Sequence, residues 1–194
     1  MKYRVLAIAL WLVCGVVRAA GPLVGLEFES EKNNDSGITN HSVDIIPGWE
    51  FSEESIVSRV ELLIERNQDN RADANGVTAK ENKLFVRLRR DGDFTDTLGY
   101  YVRGGIGRSF NSQGSFNYAY IEPGLEYKLA QKWAWTAAIR DTNSISSANG
   151  HHVTQFRTGP TLDFDKNNEL EFLYAKGNGD ANLTSWLLEY VHKF

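Results

Sequence analysis

Arginine and acidic side chains recur at every second position in several stretches of this sequence. In "LFVRLRR" Arg87 and Arg89 alternate with large apolar residues, and in "IEPGLEY" Glu122 and Glu126 do the same. A planar guanidinium pairs bidentately with a carboxylate, so such residues can form ion pairs, and an arginine-lined site can equally bind an anionic solute. The candidate positions for either chemistry are Arg59, Arg87, Arg89, Arg103, Arg140, Arg157, Glu50, Glu122, Glu126 and Asp163.

The residues that could support catalysis are few and have no recognisable motif around them. They are His41 beside Ser42, and the pair His151 and His152 close to the serines of "NSISS". Acyl transfer or hydrolysis requires a nucleophile, a base and a group that orients the base, and no such set is apparent. Glycine-rich phosphate loops, metal-spaced histidines and a calcium loop are also missing from the sequence. We therefore predict no catalytic residues, no metal site and no cofactor.

Apolar and polar residues alternate along most of the chain, which predicts β-strands because successive strand side chains point to opposite faces. Pro47, Trp49 and Phe51 share one face of their segment, while Asp44, Gly48 and Glu50 share the other. Ten strands are predicted, at about 22–31, 39–51, 56–66, 82–90, 96–109, 116–128, 132–142, 152–164, 169–176 and 183–194.

The connections between these strands predict how the sheet is arranged. Links after even-numbered strands are short, whereas links after odd-numbered strands are longer and rich in glycine, asparagine and serine. An even number of strands with alternating short and long links is typical of a transmembrane up-and-down β-barrel. The predicted extracellular loops are 32–38, 67–81, 110–115, 143–151 and 177–182. A soluble sandwich is the alternative, but its dry core could not hold so many charges cheaply.

Three segments end in nearly the same way: "PGWEF" at 47–51, "PGLEY" at 123–127 and "PTLDF" at 160–164. In a barrel these strands would run in one direction, and their last outward rings would meet the same membrane interface, where aromatic side chains are favoured. The predicted periplasmic aromatic girdle is Phe51, Tyr127, Phe164 and Phe194. The prolines are predicted to mark bulges or the end of pairing, since proline cannot donate to the strand ladder.

The first twenty residues have the character of a secretory signal peptide. Lys2 and Arg4 precede a run of apolar residues, and Val17 and Ala19 suit a cleavage site after residue 19 or 20. Residues 1–20 are therefore predicted to be a signal peptide and residues 21–194 the barrel. Without the three basic residues of that segment, 18 basic and 25 acidic residues give a net charge of −7. Such a charge argues against a nucleic-acid partner.

In these features the sequence resembles bacterial outer-membrane β-barrel proteins. The resemblance rests on the signal segment, the amphipathic strands and a last strand that places Trp186, Leu188, Tyr190 and Phe194 at alternate positions. It implies export through the periplasm to the outer membrane, outer-membrane lipid around the barrel, and recognition by the barrel-assembly machinery through the strand that ends at Phe194. His192 stands where an apolar or aromatic residue is usual in that family.

The strand number guides the functional prediction. About eight strands leave an interior that side chains fill, whereas sixteen or more leave an aqueous channel, so ten strands lie near the filled limit. We expect a porin-like or structural barrel in which Arg87, Arg89 and Arg103 pair with acids of neighbouring strands. A narrow channel for anionic solutes or oligosaccharides is the first alternative. A surface adhesin and a hydrolase at the loop rim are the others.

Overall fold

The chain forms a closed antiparallel barrel of ten strands, as the sequence predicts. The computed structural model describes residues 19–51, 55–72, 78–111, 114–145 and 152–194. Each strand pairs with its neighbour in sequence, and β1 closes the barrel by pairing with β10 from Leu23 opposite Lys193 to Asn33 opposite Leu183. The strands are β1 (Ala19–Asn33), β2 (Thr39–Phe51), β3 (Arg59–Ala72), β4 (Thr78–Asp93), β5 (Leu98–Asn111), β6 (Gly114–Ala130), β7 (Trp133–Ser144), β8 (His152–Asp165), β9 (Asn168–Gly179) and β10 (Leu183–Lys193).

Alternation along each strand separates an apolar outer surface from a charged interior. On β5 the outward side chains of Val102 and Ile106 are 41% and 58% exposed, while the inward Arg103 is 2% exposed. This pattern is the reverse of that in a soluble protein, where large apolar side chains turn inward. It fits a surface that is covered by lipid. The described part of the chain contains no helix that is long and apolar enough to cross a membrane.

The prolines of the three repeated segments do not form bulges, contrary to one of the two sequence predictions. Pro47, Pro123 and Pro160 each pair with the preceding strand, opposite Val24, Val102 and Trp135 respectively. Pairing with the following strand is interrupted at each proline, and the register is the same on both sides of the gap. Proline has no N–H to donate, so the ladder loses a bond locally without gaining an extra residue.

The predicted loops are too long, because the strands on that side of the barrel extend further than the apolar pattern does. Residues 67–72 and 78–81 belong to β3 and β4, and 177–179 belong to β9. In the segment predicted as loop 110–115, residues 110–111 belong to β5 and 114–115 belong to β6. Residues 112–113 fall outside the described ranges, as do 73–77 and 146–151. Polar residues continue the antiparallel ladder there, since backbone hydrogen bonding does not depend on an apolar face.

The predicted domain boundary falls within the first strand. Residues 1–18 lie outside the described ranges, and β1 begins at Ala19. Cleavage after residue 20 would therefore remove two residues of β1, of which Ala19 pairs with Phe51. A register irregularity separates that pair from Gly21 opposite Glu50, so the regular ladder begins where the mature chain is predicted to begin. The signal peptide stays a prediction.

Depth in the bilayer should set the cost of a charge on the outer surface. Val102 lies on β5 two positions further from the end of the barrel with the chain termini than Tyr100, which is opposite Leu125. Val102→Arg is expected to lower the free energy of unfolding by about 2–4 kcal/mol. Leu125→Arg, opposite Tyr100 near the start of β5, should cost about 0–1 kcal/mol. Unfolding in urea with lipid vesicles measures both values. Equal costs for the two variants would contradict the assignment of this surface to lipid.

Candidate functional site

The barrel interior is the candidate site, because most of the predicted charged residues point into it. Arg59, Arg87, Arg89, Arg103 and Arg157 are each at most 6% exposed, and Glu122 is fully buried. Alternation places them there, since inward and outward side chains follow one another along every strand. Arg140, Glu50 and Glu126 are partly exposed, and Asp163 is exposed.

Arg87 on β4 is the centre of one ion-pair cluster. Its Nε donates to Glu61 on β3 at 2.5 Å, and its Nη2 donates to Glu189 on β10 at 2.8 Å. Its Nη1 lies 3.6 Å from Glu27 on β1. The Arg87 guanidinium therefore interacts with three buried carboxylates, one from the neighbouring strand β3 and two from the more distant strands β1 and β10. Such charge-assisted bonds are about twice as strong as neutral ones.

Glu122 on β6 is the centre of a second cluster with the opposite charge pattern. Its Oε2 accepts hydrogen bonds from Arg140 at 2.6 Å and from Arg157 at 2.7 Å. Its Oε1 accepts one from the Tyr101 hydroxyl at 3.1 Å and lies 3.5 Å from Arg103. Arg103 also lies 3.7 Å from Glu171 on β9. The two clusters together connect nine of the ten strands across the lumen, all except β2.

Tyr101 fills the space between the arginines, and a glycine makes its position possible. It is fully buried, and the guanidinium carbons of Arg89 and Arg103 lie 4.5 Å and 5.2 Å from its ring centroid. Tyr101 stands opposite Gly124 on β6, where a Cβ would come within 2.3 Å of the ring. Alternation predicts that Tyr101 points inward with Arg103, but only the structure shows that the glycine of "PGLEY" makes room for its ring.

A third group of charges lies at the end of the barrel that carries the chain termini. Arg59 donates to Glu169 at 2.7 Å and lies 3.5 Å from Glu50. Lys193 lies 3.2 Å from Glu50 and 3.5 Å from Glu169. Asp163 lines a cavity of about 320 Å³ at this mouth, together with Glu169 and Lys193. Glu169 and Lys193 are absent from the predicted site, although both alternate with apolar neighbours.

An apolar layer lies inside the barrel next to the Arg87 cluster, on the side away from the chain termini. Ile46, Leu63 and Phe85 are buried together, and Tyr118 and Tyr120 pack against them. The ring of Phe85 stacks on Tyr118 and Tyr120 at centroid distances of 5.4 Å and 5.0 Å. The sequence carries a signal for this layer, because each of the three buried residues breaks the alternation with a run of consecutive apolar positions.

At the end opposite the termini, the interior opens into a cavity of about 450 Å³ that we call the vestibule. Six acids and three basic residues line it. They are Glu27, Glu29, Glu31, Asp44, Glu65, Glu81, Lys83, Arg87 and Arg140. Acidic residues therefore outnumber basic residues in the vestibule, whereas the predicted site residues are six arginines and four acids.

The predicted girdle residues lie at the end of the barrel that carries the termini. Tyr127, Phe164 and Phe194 are 52%, 46% and 69% exposed, and Phe51 is partly exposed. Exposed aromatics absent from the prediction lie at the same end, among them Phe94 in the link after β4 and Trp133 at the start of β7. Phe194 follows β10, and its N–H donates to the Pro22 carbonyl at 3.0 Å.

Those candidate catalytic residues that the structure describes do not assemble into a catalytic group. His41 is exposed and the adjacent Ser42 is buried, since neighbouring strand residues point to opposite faces. His152 forms a pair with Asp141 at 2.7 Å that the sequence did not suggest. The nearby hydroxyl of Thr154 donates to the same carboxylate at 2.9 Å and not to the histidine. His151 lies outside the described residues.

Within the described ranges, no group of three or more His, Cys, Asp or Glu side chains could hold a metal ion.

Comparison with solved structures places this fold among known barrels. The beta domain of the Bordetella autotransporter BrkA matches with a TM-score of 0.57 at 12% identity, over 91% of this chain and all of that one. The chain has the fold of a small outer-membrane β-barrel. The translocator domain of the autotransporter NalP from Neisseria meningitidis matches with a TM-score of 0.54 at 10% identity, over 100% and 95% of the two chains.

A further barrel, the transport unit of the autotransporter AIDA-I from Escherichia coli, matches with a TM-score of 0.52 at 9% identity, over 98% of this chain and 97% of that one. No family model and no curated protein matches the sequence. The likeness therefore lies in the barrel architecture, and the function has to be argued from the interior of this barrel.

Proposed function

We propose that the protein is an integral outer-membrane barrel whose interior is closed by ion pairs, so that it is porin-like in fold and structural in role. On this proposal it conducts little in its resting state and has no catalytic activity. The proposal deepens the sequence prediction by naming the residues that close the lumen. These residues are Arg87 and Glu122 at the centres of the two clusters, with Tyr101 packed between arginines.

One observation carries the proposal most strongly. The guanidinium groups of Arg87, Arg103 and Arg157 are at most 2% exposed, and Glu61 and Glu122 beside them are equally buried. In a hydrated channel these groups would keep water-exposed surface, because ionised side chains are costly to desolvate. Their burial supports an interior filled by side chains, which fits the small number of strands.

The location and partners follow from the outer surface and the last strand. The exposed apolar band supports insertion into outer-membrane lipid, with the girdle residues at the periplasmic interface. This placement requires export through the periplasm after removal of residues 1–20. The exposed ring of Phe194 at the end of β10 is available to the barrel-assembly machinery. No nucleic-acid partner is proposed.

The charge of the vestibule bears on the alternatives. A channel for anionic solutes would draw them past an entrance in which acids outnumber basic residues by six to three. Acidic residues at a channel mouth repel a permeating anion, so the hypothesis of an anion channel is disfavoured. A hydrolase at the loop rim would need a nucleophile beside His152, whereas Thr154 bonds to Asp141. No described contact specifically favours an adhesin.

Single-channel recording in planar bilayers tests the proposal. The purified full chain should give no steady conductance steps at moderate voltage, because the ion-pair clusters block the lumen. A porin of known conductance, reconstituted in the same way, serves as the positive control. Regular steps with anion preference, seen in every preparation, would overturn the closed-lumen proposal and favour a solute channel.

A further inference from the structure

The vestibule contains carboxylates that no basic side chain neutralises. Lys83 lies 2.7 Å from Glu65 and 3.9 Å from Glu81, so it pairs with these two acids. Arg140 forms an ion pair with Glu122. The remaining vestibule acids, Glu29, Glu31 and Asp44, form no ion pair within the described part of the chain. All three lie on the neighbouring strands β1 and β2, so they form one acidic wall.

Asp44 is the most unusual member of this wall. It is only 2% exposed, it lines the vestibule, and its Oδ1 has no hydrogen-bond partner among the described residues. A buried carboxylate oxygen without a donor is costly, and native proteins rarely keep one unless it has a role. Its position opposite Glu27 and opposite Glu65 on the two flanking strands adds repulsion that a bound cation would relieve.

The opposite wall of the vestibule is aromatic. Phe116, Tyr118 and Tyr120 come from β6, which lies across the barrel from β1 because the closed strand order separates them equally in both directions. The faces of aromatic rings attract cations. One ring of this wall already contacts a cation, since the guanidinium carbon of Arg140 lies 4.3 Å from the centroid of the Tyr120 ring.

We propose that the vestibule binds a small organic cation, with a protonated amine against Asp44, Glu29 and Glu31 and an apolar body against the aromatic wall. The volume of about 450 Å³ is within the range of small-molecule pockets. An amine supplies the donor that Asp44 Oδ1 lacks and the positive charge that the acidic wall lacks. This binding function goes beyond the structural role proposed above. If the ion-pair clusters close the lumen, a cation in the vestibule is bound there and does not pass through the barrel.

Calorimetric titration of the full chain in lipid nanodiscs tests this site with three probes that share a phenyl body. We expect 2-phenylethylamine to bind, and the neutral 2-phenylethanol and the anionic phenylacetate to bind at least about tenfold more weakly. Asp44→Asn, which keeps the shape and removes the charge, should weaken amine binding by about 10–100-fold. Tyr118→Leu should weaken it by about 3–10-fold. Empty nanodiscs correct for partitioning into lipid.

Matched variants make the result interpretable. Asp96→Asn, the same change on an exposed turn at the other end of the barrel, should leave amine binding unchanged. Glu29→Gln, at a partly exposed position of the acidic wall, gives a second measurement that should weaken binding by about threefold or more. Equal binding by wild type and Asp44→Asn would overturn the proposal. So would equal affinity for the amine and the alcohol, or binding of Ca²⁺ with no binding of the amine.

Discussion

Arg87→Ala is expected to lower the free energy of unfolding by about 3 kcal/mol. The substitution leaves Glu61, Glu189 and Glu27 close together in the barrel interior without their shared cation. A buried carboxylate can escape part of this penalty by binding a proton. The loss should therefore become smaller as the pH is lowered from about 8 to about 5, where protonation of the carboxylates is easier.

Urea unfolding in the presence of lipid vesicles measures this loss, and ion flux across the same vesicles is recorded in parallel. Arg108→Ala is the matched control, because Arg108 is exposed on the outer surface and its loss should cost less than about 1 kcal/mol. We expect large destabilisation and little flux for Arg87→Ala. Unchanged stability accompanied by a changed current would mean that water screens these carboxylates and that the lumen is open.

Glu122→Gln should have the largest effect, about 5 kcal/mol. The change keeps the shape of the side chain but leaves Arg103, Arg140 and Arg157 around a neutral amide. A guanidinium cannot lose its proton in a protein, so these cations have no means of becoming neutral. The loss should therefore exceed that of Arg87→Ala and should not shrink between about pH 5 and pH 8.

The same unfolding assay at two pH values separates the two variants. Glu126→Gln is the matched control, since this acid also pairs with an arginine, at 2.7 Å from Arg89, but its side chain is 27% exposed. Its loss should be about 1 kcal/mol or less. A Glu122→Gln variant no less stable than Glu126→Gln would show that the Glu122 cluster is hydrated, and the proposed closure of the lumen would then fail.

Much of the fold could be predicted from the sequence, because a strand has a fixed side-chain period. Alternation in segments such as "LFVRLRR" determines which residues face lipid and which face inward, and it holds for every predicted arginine except that Arg140 stays partly exposed. The pairing of Arg87 opposite Glu61 and of Arg103 opposite Glu122 was less predictable, because alternation decides only the face of a strand and the register also depends on the turns. The strand ends were less predictable, since polar residues extend a ladder as well as apolar ones do.

The interior contacts that decide the function needed the closed tertiary structure. Arg87 reaches Glu189, and Arg157 reaches Glu122, between strands that are not neighbours in sequence or in the sheet. Only the curvature and closure of the barrel bring such side chains together, and no strand pattern encodes that distance. The sequence by itself determined a ten-stranded barrel with charge inside and apolar side chains outside, through the period of two. The tertiary structure decided which charges pair across the lumen and left Asp44 Oδ1 buried without a donor among the described residues, because both depend on packing across the interior.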